Sequence, residues 1–341
     1  MTDATGIDKV RKGLQNPIAA LHHLRARCDS YISAVEAPIF SRYPYGENIL
    51  DEDWDILIVL DTCRVDALRE IAQVIDYKWL SENRVESRTS IGGSTFEWTA
   101  QTFRRGYEGQ ANEVDLIAGN AVVEEVLEGN RTPEEAEGVG WAPTNWNILS
   151  KSRLNEVVSV SGLRAATGPA EGHEDRPHPS ASLVTDLAIQ HARENNPDRM
   201  IIHYIQPHYP FYSAIESGER DELLDWEIFP FSYLRNGTVS REEVWYRYLE
   251  ELSVGLDSIN TLLRNVDADR VAITADHGEG FGERWLGVRG YKHRVGMVHP
   301  KVRKVPWLTT TAEDTGEYTP EIDVRETGEN RGKMLEALGY L

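Results

Sequence analysis

The sequence is short of positive charge. Of 341 residues, 36 are Lys or Arg against 56 Asp or Glu, a net charge of -20 at pH 7, and only eight of the 36 are lysine. Phosphate backbones are bound by basic faces, so this composition speaks against a nucleic-acid partner. A lysine-poor, acid-rich surface suits a protein kept hydrated in concentrated salt, as in a halophilic source, or an ordinary acidic cytosolic protein. Cysteine is scarce too: Cys28 and Cys63 make neither a disulfide framework nor a metal-ligand spacing. No run approaches the roughly 20 apolar residues of a membrane span. The amino terminus has no signal-peptide apolar core, so a cytoplasmic location is expected. Internal repeats and low-complexity tracts are absent.

What is present centres on Arg270-Val271-Ala272-Ile273-Thr274-Ala275-Asp276-His277-Gly278-Glu279-Gly280. An apolar, β-branched run bounded by charge and by Asp-His-Gly reads as a buried parallel strand. In open α/β sheets, ligands bind where loops leave the carboxyl ends of the strands. Asp276 and His277 offer one oxygen and one nitrogen there, a pair suited to Zn²⁺ or Mn²⁺. Gly278 is expected to let the backbone turn sharply, with Gly280 and Gly282 keeping the next loop pliable. The plainer alternative is a strand-end turn in which Asp276 caps a helix and His277 is exposed.

Residues 1–45 read as an appended, loosely helical segment, docked on a catalytic domain of residues 46–341 or binding a surface. That domain opens with a strand over Trp54–Leu60, ending in Asp61-Thr62-Cys63-Arg64-Val65-Asp66, which turns helical. Asp61 is placed to bind a metal or to cap that helix. Arg64 is placed to pair with Asp66 or to hold an anion, and Cys63 to be a small buried residue. Gly92-Gly93 followed by Ser94-Thr95 and helical spacing puts Ser94 or Thr95 at a helix amino terminus, either as a cap or as a hydroxyl helped to ionise. A strand is expected near 113–118, a helix through 122–127, and a helix over 183–195. Residues 129–180, rich in Glu, Gly, Pro and Trp, read as an insertion over the substrate side. A strand over Met200–Gln206 ends near His208, with His203 mid-strand as a core residue. A long helix over Glu242–Leu263, an edge strand at Val305–Leu308 and a helix from about Asn330 complete the chain.

Three strands thus end in Asp61, His208 and the Asp276–His277 couple, and a metal site with a hydroxyl at a nearby helix start accounts for all of them. A divalent ion would lower the hydroxyl's pKa and absorb charge on a transferring phosphoryl or sulfuryl group. His208 and His293 are placed to protonate a leaving oxygen or to ligate a second ion. In order and strand context, Asp61-Thr-Cys-Arg64-Val-Asp66, Ser94-Thr95-Phe-Glu-Trp98, Pro207-His208-Tyr-Pro210, Ala275-Asp276-His277-Gly278-Glu279 and His293 ahead of Val305-Pro306 resemble the alkaline phosphatase superfamily, in its sulfatase-like branch of the haloarchaeal type. The resemblance spans roughly 55–310 and implies a doubly wound α/β/α sandwich with a mostly parallel central sheet. It implies metal binding by Asp61, Thr95, Asp276 and His277, a covalent intermediate on Thr95, and His208 and His293 facing the substrate, with Arg64 also in the site.

Sulfatases carry a Cys or Ser converted to an aldehyde in a Cys-x-Pro-x-Arg pattern, which is missing here, and one carboxylate of their tandem Asp pair is Thr62. The set is similar instead to Thr-nucleophile phosphotransferases such as the phosphoglycerol transferases, which use one metal. The expected cofactor is therefore a divalent ion (Mn, Zn, Mg or Ca), one or two in number. The expected substrate is a small-molecule or glycan phosphate or sulfate ester. A non-catalytic, metal-stabilised protein and a phosphosugar mutase-like isomerase are the competing readings.

Overall fold

A computed structural model describes residues 36–131, 143–160 and 178–322, with the backbone of two further short strands at 163–165 and 324–326. Most of the expected amino-terminal segment, much of the 129–180 insertion and the helix from Asn330 lie outside the described residues.

Seven strands form one sheet. They are β1 (Ile56–Leu60), β2 (Glu86–Thr89), β3 (Val114–Ala118), β4 (Glu156–Ser159), β6 (Arg199–Tyr204), β7 (Ala268–Thr274) and β10 (Lys304–Ala312), in the order β2-β10-β7-β1-β6-β3-β4. The chain also forms β5 (Leu163–Ala165) with β11 (Val324–Glu326), and the hairpin β8 (Gly280–Trp285) with β9 (Val288–Lys292). β1 lies between β6 and β7 and runs parallel to both, and β3 is parallel to β6 and β4. β10 alone is reversed, pairing antiparallel with β7 and β2. The edge strand expected at Val305–Leu308 is therefore an interior strand. Pro306 removes one donor, but its carbonyl still accepts from Thr274 Oγ1 at 2.8 Å, and β2 forms the edge.

All five β1 residues are buried because helices cover both faces of the sheet. Ile56, Ile58 and Leu60 belong on one side to a core shared with α1 (Val65–Ile71), α4 (Ala181–Asn195), α5 (Pro230–Asn236) and α6 (Arg241–Leu263), through Leu68, Val184, Phe231, Leu252 and Leu256. Leu57 and Val59 pack on the other side with α2 (Thr95–Thr102) and α3 (Ala121–Glu128), through Trp98, Val123 and Leu127. The period-2 alternation of side chains thus feeds two cores, and the architecture is a three-layered α/β/α sandwich. Cys63 is buried as a free thiol.

Ile58, fully buried at the centre of the middle strand, tests this layering. Ile58→Ala should cost about 2–5 kcal/mol in urea-induced unfolding, because a close-packed site between sheet and helices relaxes little around a cavity.

Candidate functional site

Parallel strands bring their carboxyl ends to one rim, and three of them deliver polar groups there. β1 runs into Asp61, whose N–H donates to the Tyr204 carbonyl at 3.1 Å, extending the ladder to the rim. Thr62 then takes a left-handed conformation, φ 63°, unfavourable for a β-branched residue and held by its surroundings. Its N–H donates to Asp276 Oδ1 at 3.1 Å and its carbonyl accepts from Tyr248 of α6 at 2.7 Å. β7 runs into Asp276, whose Oδ1 also accepts the His277 N–H at 2.8 Å. Gly278 is required for a reason other than a sharp turn: a Cβ there would lie 2.2 Å from the Lys301 carbonyl oxygen. Gly280 and Gly282 belong to strand β8 rather than to a pliable loop; Gly282, at φ +84°, faces the Tyr291 ring.

The hydroxyl pair at the start of α2 divides its roles. Ser94 is the N-cap, its Oγ accepting the Glu97 N–H at 3.2 Å. Thr95, the first helical residue, turns inward, and its Oγ1 donates to Asp276 Oδ2 at 2.8 Å and stands 3.3 Å from His277 Nε2. Glu97, one turn into the helix, is a fully buried clamp. Its Oε2 accepts the N–H groups of Gly93 at 2.9 Å and Gly296 at 2.7 Å, and its Oε1 accepts from buried Arg303 at 2.7 Å.

At the centre, acceptors face one another. The Nδ1 of His277 lies 2.9 Å from the Gly278 carbonyl, which requires a proton on Nδ1 and leaves Nε2 a bare lone pair in the neutral ring. That Nε2 is 3.3 Å from Asp276 Oδ2 and 3.7 Å from Asp61 Oδ1. Asp61 Oδ1 has no hydrogen-bond partner, and among the described residues no Lys or Arg pairs with Asp61 or Asp276. Burial, then the Asp276 carboxylate, pushes Asp61 well above the usual carboxylate range. Burial also acts to raise Asp276, but the His277 and His203 rings and the Thr95 hydroxyl outweigh it and hold it low. Burial takes His277 down to about 3.

These donors fit a divalent ion. Four ligands at about 2.0–2.1 Å from a tetrahedral ion sit roughly 3.3 Å apart. The spacings among Thr95 Oγ1, Asp276 Oδ2, His277 Nε2 and Asp61 Oδ1 given above run from 2.8 to 3.7 Å. The ligand atoms of Asp61, Asp276 and His277 all fall within 4.8 Å of one another.

His208 and His293 stand beside this group. The His277 and His293 ring centroids are 4.3 Å apart, and those of His208 and His293 5.4 Å. His208 Nδ1 is bonded to the Tyr209 carbonyl and its Nε2 has no partner; Glu279 Oε2 is 3.0 Å from His293 Nδ1. Together His208, Glu279 and His293 form a second group whose ligand atoms fall within 4.8 Å. Of the two readings for Arg64, pairing is the one observed. Asp66 engages it through two bonds, at 2.8 and 2.6 Å, and Glu283 through one at 2.7 Å.

Four contributors carry no readable signal in their own segments. Asn120, the N-cap of α3, donates from Nδ2 to Asp61 Oδ2 at 2.6 Å. The Glu97–Arg303 pair spans about 200 residues. Glu279 has a role only through His293. His203, expected to be a core residue, is fully buried against Trp98 and also lies 3.6 Å from Asp276 Oδ2. The one usable clue was position, since Asn120 follows a strand's carboxyl end just as Asp61 does.

No family model matches the chain, and neither does any curated protein. Among solved structures, the C-terminal periplasmic domain of a phosphoethanolamine transferase from Campylobacter jejuni is similar at 14% identity and TM-score 0.42, covering 75% of this chain and 78% of that one. The soluble domain of lipooligosaccharide phosphoethanolamine transferase A from Neisseria meningitidis gives 15% identity, TM-score 0.39 and 77% coverage of each chain. A 2-O GAG sulfatase gives 14% identity and TM-score 0.36, over 84% of this chain and 70% of that one. The functional reading therefore rests on the geometry of the site.

Two predictions follow from that geometry. Glu97→Ala leaves Arg303 buried without its carboxylate and frees the Gly93 and Gly296 N–H groups, so unfolding in urea should show a loss of about 3–5 kcal/mol. The second concerns pH. His277, at about 3, and His208, lowered by burial and by His293, both lie below the ordinary 6.5. The unfolded chain therefore takes up their protons first. Their stabilisation is complete above about pH 6.5 and is lost as the pH falls towards the folded values. Asp61, pushed upward, opposes this because the folded state takes up its proton first. In chelator, the urea midpoint should fall between pH 6.5 and about 3 with a slope below two protons, and His208→Asn should flatten it.

Proposed function

We propose that the chain is a metal-dependent transferase or hydrolase of phosphate or sulfate esters in which Thr95 is the nucleophile. The observation that carries this is the convergence of Thr95 Oγ1, Asp276 Oδ2, His277 Nε2 and Asp61 Oδ1, four donor atoms from three separate segments with no Lys or Arg among them. A divalent ion bound by these four residues would lower the hydroxyl's pKa and absorb charge developing on the transferring group.

The chain's own residues account for the rest of the chemistry. Asp276 Oδ2 receives the Thr95 hydroxyl hydrogen at 2.8 Å, which orients Oγ1 for its bond to phosphorus or sulfur; the proton itself would be given up to water as the alkoxide forms, since Asp276 is held low. Thr95 begins a fully buried eight-residue helix, whose positive amino end favours an anionic ester beside it. Asn120 keeps Asp61 aimed inward. His293, on the rim with Glu279 orienting its ring, can give a proton to the departing ester oxygen, while His208, its proton on Nδ1 toward the Tyr209 carbonyl, faces the substrate with the lone pair of Nε2. An unmodified Thr hydroxyl at this place favours phosphoryl over sulfuryl transfer, and a phosphate ester or phosphodiester of a small molecule or glycan is the substrate class we favour. The grouping of His208, Glu279 and His293 supports a second reading of the same site, with two ions rather than one.

Turnover of bis(p-nitrophenyl) phosphate, p-nitrophenyl phosphate and p-nitrophenyl sulfate with Mn²⁺ or Zn²⁺ tests the proposal. Thr95→Ala should lose at least about 10³-fold in kcat with the circular dichroism spectrum unchanged, and Asp276→Asn should lose bound metal as measured by elemental analysis. Metal at a hundred times its Kd should stabilise the protein by about 2.7 kcal/mol, and chelation should remove that. Undiminished turnover by Thr95→Ala would overturn the nucleophile. Metal-dependent melting without turnover on any ester would leave a binding protein instead.

A further inference from the structure

The hairpin β8–β9 stands outside the main sheet, and its two feet are site residues: Glu279 precedes β8 and His293 follows β9. Its tip is apolar and exposed, with Trp285 42% accessible, Leu286 84% and Val288 57%. Leu286 and Gly287 both have positive φ, 49° and 84°, as a two-residue hairpin turn requires. Asn-Gly is the pair such a turn prefers, so a leucine at the first position serves neither the turn nor solubility.

The charge around the tip is equally out of character. From Arg284 to Gly290 there is no Asp or Glu, and of the cations beyond it Arg294, Lys301 and Arg303 are paired with Glu36, Asp66 and Glu97, so the tip's own charges are Arg284 and Arg289. Arg284 and Arg289 flank the tip, are exposed, and have no carboxylate partner among the described residues. An exposed apolar point with tryptophan at its shoulder and arginines behind it matches the layering of a bilayer interface, with hydrocarbon, headgroup boundary and anionic phosphates in turn. Four tip residues fall far short of the roughly 1,000 Å² that a specific protein interface needs. The chain's overall negative charge does not forbid the contact, because at 0.1 M salt repulsion reaches only about 10 Å.

We propose that this hairpin seats the protein on an anionic membrane surface. Five strand residues at ~3.3 Å each place the site roughly 17 Å behind the tip, with its rim histidine and Glu279 at the base of the same hairpin. The proposal does not depend on Thr95 chemistry, since binding is read without turnover.

Co-sedimentation of the full chain with phosphatidylcholine vesicles, pure or half phosphatidylglycerol, is the test. The wild type should sediment with the anionic vesicles. The combined variant Trp285→Ser, Leu286→Asn, Val288→Ser should bind at least tenfold more weakly while melting unchanged, since Asn-Gly suits the turn. Arg284→Ser with Arg289→Ser should abolish the preference for phosphatidylglycerol. Wild type left in the supernatant, or a tip variant that binds like wild type, would overturn the proposal. So would light scattering that shows a dimer dissociated by the tip variant, since the hairpin's occupant would then be a second copy of the chain.

Discussion

The organisation of the molecule depends on electrostatic frustration at one point. His277 Nε2, Asp276 Oδ2 and Asp61 Oδ1 point their lone pairs at one another in the interior, where the low dielectric makes unrelieved repulsion expensive. The surroundings do not dissipate it. They enforce it, through the Gly278 carbonyl on His277, two backbone N–H groups on Asp276 and the Asn120 amide on Asp61. Side chains held so firmly in this arrangement call for positive charge, and among the described residues no Lys or Arg pairs with either carboxylate.

The sheet makes this arrangement affordable. Because β1, β6 and β7 are adjacent and parallel, their carboxyl ends meet without any long loop having to be ordered for the purpose. The apolar runs that precede Asp61 and Asp276 bury residues on both faces, so the two carboxylates are anchored in both cores at once. The strained Thr62 belongs to the same logic. Its unusual backbone directs its N–H to Asp276, and Tyr248 from the covering helix holds its carbonyl in place.

Much of this could be read from the sequence because strand-length apolar runs ending in Asp or Asp-His are local signals. The expected strand over 54–60 is observed as Ile56–Leu60, and the expected helices over 183–195 and 242–263 are present as α4 and α6. What escaped was set by partners far away in the chain. Whether Val305–Leu308 is an edge or an interior strand depends on β2, which lies more than 200 residues earlier. Gly278 looks like a turn residue until the Lys301 carbonyl is seen against it. Asn120 does two things at once: its Oδ1 accepts the Val122 N–H as a helix cap while its amide holds Asp61. One side chain serving helix and site leaves a single mark in the sequence.

The inner and outer parts of the site are secured differently. Thr95, Asp61, Asp276 and His277 are fixed by the sheet, by α2 and by their own hydrogen bonds. His293 and Glu279 instead sit at the feet of a hairpin, and the loop after His293 is tied back to α2 mainly through Glu97, which grips Gly296 on one side and Gly93 on the other. Arg303, just ahead of β10, completes that grip and also reaches the Met297 carbonyl at 2.7 Å. Glu279 and His293 thus stand nearest the hairpin, and the Glu97–Arg303 pair that ties the following loop to α2 is buried. Such an arrangement separates the anchoring of the Thr95 hydroxyl from that of the rim, which is the division the proposed chemistry at Thr95 calls for.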